Sequence, residues 1–223
     1  MTVSRKAAAE VIGTALLLSV VVGSGIMGER LSDGNAAVAL LANSIATGAG
    51  LYVLILMFSP ISGAHFNPVV SLVSTFRGDL SKTHCGIYVT AQVCGAISGV
   101  VAAHAMFGLP LFQLSRHSRP TAGEGLGEVI ATFGLVLVIL FVSRFKADAI
   151  PASVAAYITS AYWFTSSTSF ANPAVTVARS MTDTFAGISP DNVALFIGGQ
   201  LSGGTAATFL ANWMCGQKTA PRP

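Results

Sequence analysis

Two Asn-Pro pairs, Asn67-Pro68 and Asn172-Pro173, stand in or just beyond long stretches without a single charged side chain. Asn is among the preferred helix N-caps and Pro is favoured at the first helical position, so each pair predicts a helix start. A helix that begins in apolar surroundings frees backbone N–H and C=O groups where lipid cannot satisfy them. Such groups are tolerated at membrane depth only if they are buried in protein or line a watery cavity. Any fold of this chain therefore has to build a protein-lined interior around these two starts.

The membrane setting follows from the charge distribution. Only 9% of the 223 residues are charged and 52% are hydrophobic, against about 25% charged in soluble domains. Uncharged stretches run from Val11 to Gly28, Gly34 to Ala64, Cys85 to Ser115, Val129 to Ser143, Ala149 to Ala178 and Asn192 to Gln217. A spanning helix needs about 20 apolar residues, so these predict six spans. Ser59-Pro60 is expected to break the second of them. No short apolar segment with a small-residue cleavage site precedes the first span, so no cleaved signal peptide is expected. With both termini in the cytoplasm, most of the 12 basic residues fall inside (Arg5, Lys6, Arg77, Lys82, Arg144, Lys146, Lys218, Arg222) and Arg30, Arg116, Arg119 and Arg179 outside. That matches the positive-inside tendency and predicts a bacterial inner (plasma) membrane protein. The net charge of +3 thus marks topology, and no nucleic-acid partner is expected.

The chain also repeats itself. LGEVIATFG around Glu128 echoes AAEVIGTAL around Glu10, SFANPAVTVA echoes ISGAHFNPVVSLV, and GQLSGG around Gln200 echoes AQVCGA around Gln92. Each unit holds three spans, an odd number, so the second copy lies inverted and the working site falls near the bilayer midplane where the repeats meet. The expected division is a first repeat over residues 1–107, a linker over 108–123 and a second repeat over 124–223, forming one domain over 1–223. Each Asn-Pro helix has about ten residues, which at ~1.5 Å per residue is half of a ~30 Å hydrocarbon core. Two such half-helices entering from opposite faces meet at the centre. Asn67 and Asn172 can there cap their helices through the carbonyl oxygen and turn NH2 donors toward a passing solute. The positive helix ends and these donors would oppose cations and hydronium.

With these motifs in place, the sequence resembles the aquaporin and aquaglyceroporin superfamily over essentially its whole length. The resemblance implies an all-α membrane fold of six transmembrane helices plus two pore-lining half-helices in an inverted three-helix repeat. It implies passage of small neutral solutes and water across the lipid bilayer, and a homotetramer. The motifs are Asn67-Pro68-Val69 and Asn172-Pro173-Ala174, the first departing from the family at Val69. By the same resemblance Glu10 and Glu128 brace the pore loops structurally and His65 lines the cytoplasmic vestibule. The family usually places Arg directly after the second motif, and here that position is Val175. Arg179 follows one helical turn later and is not taken as its replacement. The other filter positions correspond to Thr47, Ser160 and Ser169, with Phe170 beside them.

An uncharged Thr/Ser/Ser/Val ring predicts a wide filter. The expected permeants are glycerol, urea and neutral metalloid hydroxides such as arsenous acid, with methylated arsenic acids and some water, because channels of bacterial arsenic-resistance loci resemble this Arg-less pattern. A water-selective channel and a secondary transporter built on inverted repeats are the alternatives. No HExxH, GxSxG or cofactor fingerprint is present, and Cys85, Cys94 and Cys215 lack metal-ligand spacing, so no metal, no cofactor and no enzymatic activity are expected. His84 and His104 are expected to lack partners. Gly95 and Gly99 have the GxxxG spacing of close helix contacts, which leaves an internal crossing and a subunit contact both open.

Overall fold

The computed structural model describes residues 1–215, so Lys218, Arg222 and the expected end of the last span at Gln217 lie outside the described residues. All regular secondary structure among the described residues is helical, without strands. In order it forms α1 (Val3–Leu31), α2 (Ala36–Ser62), α3 (Pro68–Phe76), α4 (Lys82–Phe107), α5 (Ala122–Phe145), α6 (Ile150–Phe164), α7 (Pro173–Arg179) and α8 (Val193–Cys215). Five of these are long and apolar enough to cross a membrane: α1, α2, α4, α5 and α8 with the short turn before it. The expected sixth span, α6, has 15 residues. At ~1.5 Å per residue that is about 22 Å, less than a full ~30 Å core. The rest of its uncharged stretch is spent on the loop into α7.

Polarity is turned inside out relative to a soluble protein. Ile12, Leu16, Leu41, Ile45, Val53 and Leu56 are exposed, whereas Glu10, Gln92, Glu128 and Gln200 are completely buried. An apolar exterior is what lipid requires, and buried polar groups must then satisfy one another within the protein.

Three local results decide the shape of the interior. First, α2 does not break at Ser59-Pro60 but carries Pro60 inside its last turns and ends at Ser62, where Gly63 takes a left-handed φ of 90°. Proline costs little so close to a helix end, because few intrahelical bonds remain to be lost. Second, the short helices α3 and α7 have 9 and 7 residues rather than ten. Third, the glycine pairs mark internal crossings. A Cβ on Gly95 or Gly99 would strike the backbone carbonyls of Val11 and Ala15 on α1, and one on Gly199 or Gly203 would strike those of Gly125 and Val129 on α5. Gly95–Gly99 is therefore a seam between α1 and α4, and the open choice falls to the internal contact. Gly99→Val is expected to destabilise the protein by about 1–3 kcal/mol. A lowered midpoint in detergent thermal unfolding, followed by tryptophan fluorescence, would register it.

The basic linker is also ordered by contacts. The Ser115 N–H donates to the Ser180 carbonyl at 3.0 Å and the Ser189 N–H to that of His117 at 2.7 Å, while Arg116 pairs with Asp183 at 3.3 Å. This loop is tied onto the segment that follows α7. His104, expected to be without partners, is buried between the Leu111 carbonyl at 3.0 Å and the Thr182 hydroxyl at 2.7 Å. Thr182 lies 78 residues away in the chain, and the Leu111 contact depends on how the loop after α4 folds back.

Candidate functional site

Each short helix starts as its Asn-Pro pair dictates. The Asn67 side-chain oxygen accepts from the Val69 N–H at 2.9 Å, and that of Asn172 accepts from the Ala174 and Val175 N–H groups at 3.0 and 3.3 Å. Their amide nitrogens reach across to the opposite loop. Asn67 Nδ2 donates to the Ala171 carbonyl and Asn172 Nδ2 to the Phe66 carbonyl, both at 2.7 Å. The two helix starts are thus locked tip to tip. Each NH2 carries two hydrogens, so this lock uses one and leaves one per Asn for the interior.

The approach to each tip is an unwound loop held from behind by a buried carboxylate. Glu10 accepts from the Ser62 hydroxyl at 2.6 Å, the N–H groups of His65 and Phe66 at 3.0 and 2.7 Å, and Gln92 Nε2 at 2.8 Å. Glu128 accepts from the Phe170 and Ala171 N–H groups, both at 2.8 Å, and from Gln200 Nε2 at 2.5 Å. Gln92 also donates to Ser71 at 3.0 Å and Gln200 to Thr176 at 2.8 Å, which ties each carboxylate to its short helix. Ala64 and Phe66 have φ of 51° and 48°, and at the same offset Ser169 and Ala171 have 51° and 48°. A left-handed non-glycine residue costs of order 1–3 kcal/mol, and such a conformation persists only where the surroundings over-determine it. Here the carboxylates do so.

Between the helices lies a cavity of about 620 Å³. Asn67 and Asn172 line it together with His65, Thr47, Ser169, Phe170 and Val175. The His65 ring stands 3.0 Å from the Ser71 hydroxyl. Pro68, Val69, Pro173 and Ala174 are not among its lining residues; Val69 packs into a buried cluster with Val73, Val136 and Ala207, next to Gly204. The extra bulk of Val69 is therefore taken up where the facing helix has no side chain.

Ser160 does not join this group. It is exposed, its hydroxyl donates to the Tyr157 carbonyl at 2.7 Å, and α6 lines the cavity with Ile158 and Tyr162 instead. Two residues along an α-helix turn the side chain by about 200°. The correspondence with Ser160 thus selected the wrong face. Tyr162 places its hydroxyl 3.2 Å from that of Thr47, and both line the cavity. The Thr47 position was readable from sequence, whereas Tyr162 needed the phase of α6.

Two arginines stand at this end: Arg179, which the sequence reading did not take as a filter residue, and Arg119, which it left in the linker. Arg179 is 2% exposed, lines the cavity and lays its guanidinium over the Phe170 ring at 3.4 Å from the centroid. Arg119, from the linker, reaches the same ring at 5.4 Å and donates to the Gly187 and Ser167 carbonyls at 3.3 and 3.2 Å. Burial pulls the Arg119 guanidinium down from its ordinary pKa, and the carboxylates of Glu124 and Glu128 work the other way. No group of three or more metal-ligating side chains occurs among the described residues.

A helical bundle with an apolar exterior, polar groups inside and two helix starts meeting over a central cavity defines a membrane channel architecture. The comparisons with known proteins make the class specific. Residues 1–164 match the family described as Major intrinsic protein. The chain is 50% identical over 211 residues to the aquaglyceroporin AqpS of Rhizobium meliloti (strain 1021), covering 95% of this chain and 90% of that protein. It is 30% identical over 141 residues to aquaporin-2 of Rattus norvegicus, covering 61% of this chain and 50% of that protein. Its fold superimposes on the aquaglyceroporin from Plasmodium falciparum with a TM-score of 0.76 at 19% identity, covering 96% and 98% of the two chains. The chain belongs to the major intrinsic protein family, and it is a membrane channel rather than an enzyme.

Proposed function

We propose that this protein is a passive channel whose permeants are small neutral solutes of the glycerol and urea class, with neutral metalloid hydroxides such as arsenous acid, methylated arsenic acids and some water. The cavity between the two Asn-Pro tips carries this reading: it holds about 620 Å³ and its walls combine aliphatic side chains with the hydroxyls of Thr47, Tyr162 and Ser169. The Thr47 and Tyr162 hydroxyls, 3.2 Å apart on this lining, are placed to bond a solute oxygen. Asn67 and Asn172 each keep one N–H for the same purpose at the centre. Val175, where a long cationic side chain would narrow the passage, leaves room for solutes larger than water. At the tips, where Phe66, Asn67, Ala171 and Asn172 carry no charge, an ion would give up hydration without a compensating partner.

The matched braces around Glu10 and Glu128 support an arrangement of two inverted repeats, over residues 1–107 and 124–223, joined by the linker 108–123. In that arrangement the termini are cytoplasmic, the membrane is a bacterial inner membrane and the assembly is a homotetramer. Chemical cross-linking in membranes and protease accessibility of tagged termini test those points.

Function is tested by solute-gradient swelling of proteoliposomes holding the purified protein. Glycerol, urea and arsenous acid are expected to enter well above the rate of empty vesicles. Uptake should follow the gradient and ignore ionophores, which separates a channel from a coupled transporter. Rapid water flow with all three solutes excluded would refute the proposed solute range.

A further inference from the structure

Beyond the central cavity lies a second one of about 320 Å³, lined by Asn43, His117, Arg119, Thr168 and Phe185 among others. Arg179 lines both, and no other residue of the second cavity lines the first. It is therefore the side chain that stands between them. We infer that Arg179, reaching back from the end of α7, is the outer selectivity residue of this channel, forming with Phe170 a positively charged partition that every solute must pass. This rests on the channel reading above and assigns it a specific gatekeeper.

Three observations fix the partition in place. The Arg179 guanidinium stacks on Phe170, whose ring is itself held edge-on by Phe196 at 4.9 Å between centroids. Its Nε donates to the Ala186 carbonyl, which anchors the inner end of the group. No hydrogen bond from Nη1 or Nη2 reaches another described residue, so up to four N–H donors remain for a solute. Val175 lies one turn before Arg179 on α7, on the same helix face. The two positions therefore act on one end of the passage, with the apolar residue leaving width and the cation supplying recognition. A neutral oxygen-rich solute can take these donors as it passes. A cation meets a buried positive charge and is repelled.

The test compares wild type, R179A, R179Q and R116A in proteoliposomes at equal protein density. Glycerol and urea entry are read by light scattering, and cation leak by a trapped pH dye after a methylammonium or acid step. R179A and R179Q are expected to raise cation leak at least about tenfold, equivalent to about 1.4 kcal/mol removed from the barrier, and to reduce discrimination between glycerol and urea. R116A, whose side chain is exposed and paired with Asp183, should match wild type. R179Q keeps an amide donor for the Ala186 carbonyl while removing the charge, the remaining N–H donors and the guanidinium stack, so it reads the inference if R179A fails to insert. Unchanged leak and unchanged solute ranking in either inserted variant would overturn the role of Arg179. Wild-type vesicles that pass water alone would overturn the solute range of the channel, while the cation readout on the variants would still decide the partition.

Discussion

Glu10→Ala is expected to leave no channel that survives purification. The carboxylate collects four donors: the Ser62 hydroxyl, the His65 and Phe66 amides and Gln92 Nε2. All sit at or near zero exposure apart from the half-buried His65. Each buried donor left without a partner costs about 1–3 kcal/mol, so the loss is on the order of 5 kcal/mol or more. That is comparable with the whole stability of a typical domain, about 5–15 kcal/mol. The damage concentrates on the loop before α3, where Ala64 and Phe66 are held in left-handed conformations that the carboxylate over-determines. Size-exclusion profiles in mild detergent, with the thermal midpoint of whatever remains monodisperse, measure the effect. A useful contrast is Thr14→Val one turn away, because the Thr14 hydroxyl is buried with no partner among the described residues. Removing it should be neutral or mildly stabilising. An intact, stable Glu10→Ala channel would show that the loop keeps its shape without the brace.

Val175→Arg should cut glycerol and urea entry by about tenfold or more, while water flow falls only a few-fold. Val175 is 6% exposed, lines the central cavity and lies one turn before the stacked Arg179. An arginine there adds about four heavy atoms of side chain to the cavity lining and places a second cation beside the first. A tenfold drop corresponds to about 1.4 kcal/mol of added barrier, a modest demand on a clash of that kind. Water needs a smaller opening than a three-carbon polyol, so it should be affected least. Paired swelling and osmotic shrinkage rates on the same vesicles give the ratio. An equal loss for water and glycerol would indicate a blocked or misfolded passage rather than a narrowed one.

Much of this was legible before any coordinates. The six uncharged stretches and the two Asn-Pro starts depend on backbone chemistry and on what lipid tolerates, and both act over a few residues. Thr47, Ser169, Phe170 and Val175 were picked out through the family resemblance, counted from the two motifs, and all four line the cavity. Ser160 and Tyr162 show where such counting stops. They differ by two residues, yet about 200° of helix rotation sends one to the exterior and the other to the cavity. The length of α6 and the passage of α2 through Pro60 depended in the same way on where neighbouring loops let each helix end.

The sequence by itself determined that this chain is a bundle of membrane helices with two short ones starting in its interior, because hydrophobic length and the Asn-Pro start are local properties. Only the tertiary structure decided which way the Asn amides bond, that the Gly95–Gly99 seam is internal, and that Arg179 and Arg119 converge on Phe170. Those facts pair groups as much as 106 residues apart in the chain. Their partners are selected by the packing geometry of several helices at once, which no short window of sequence encodes.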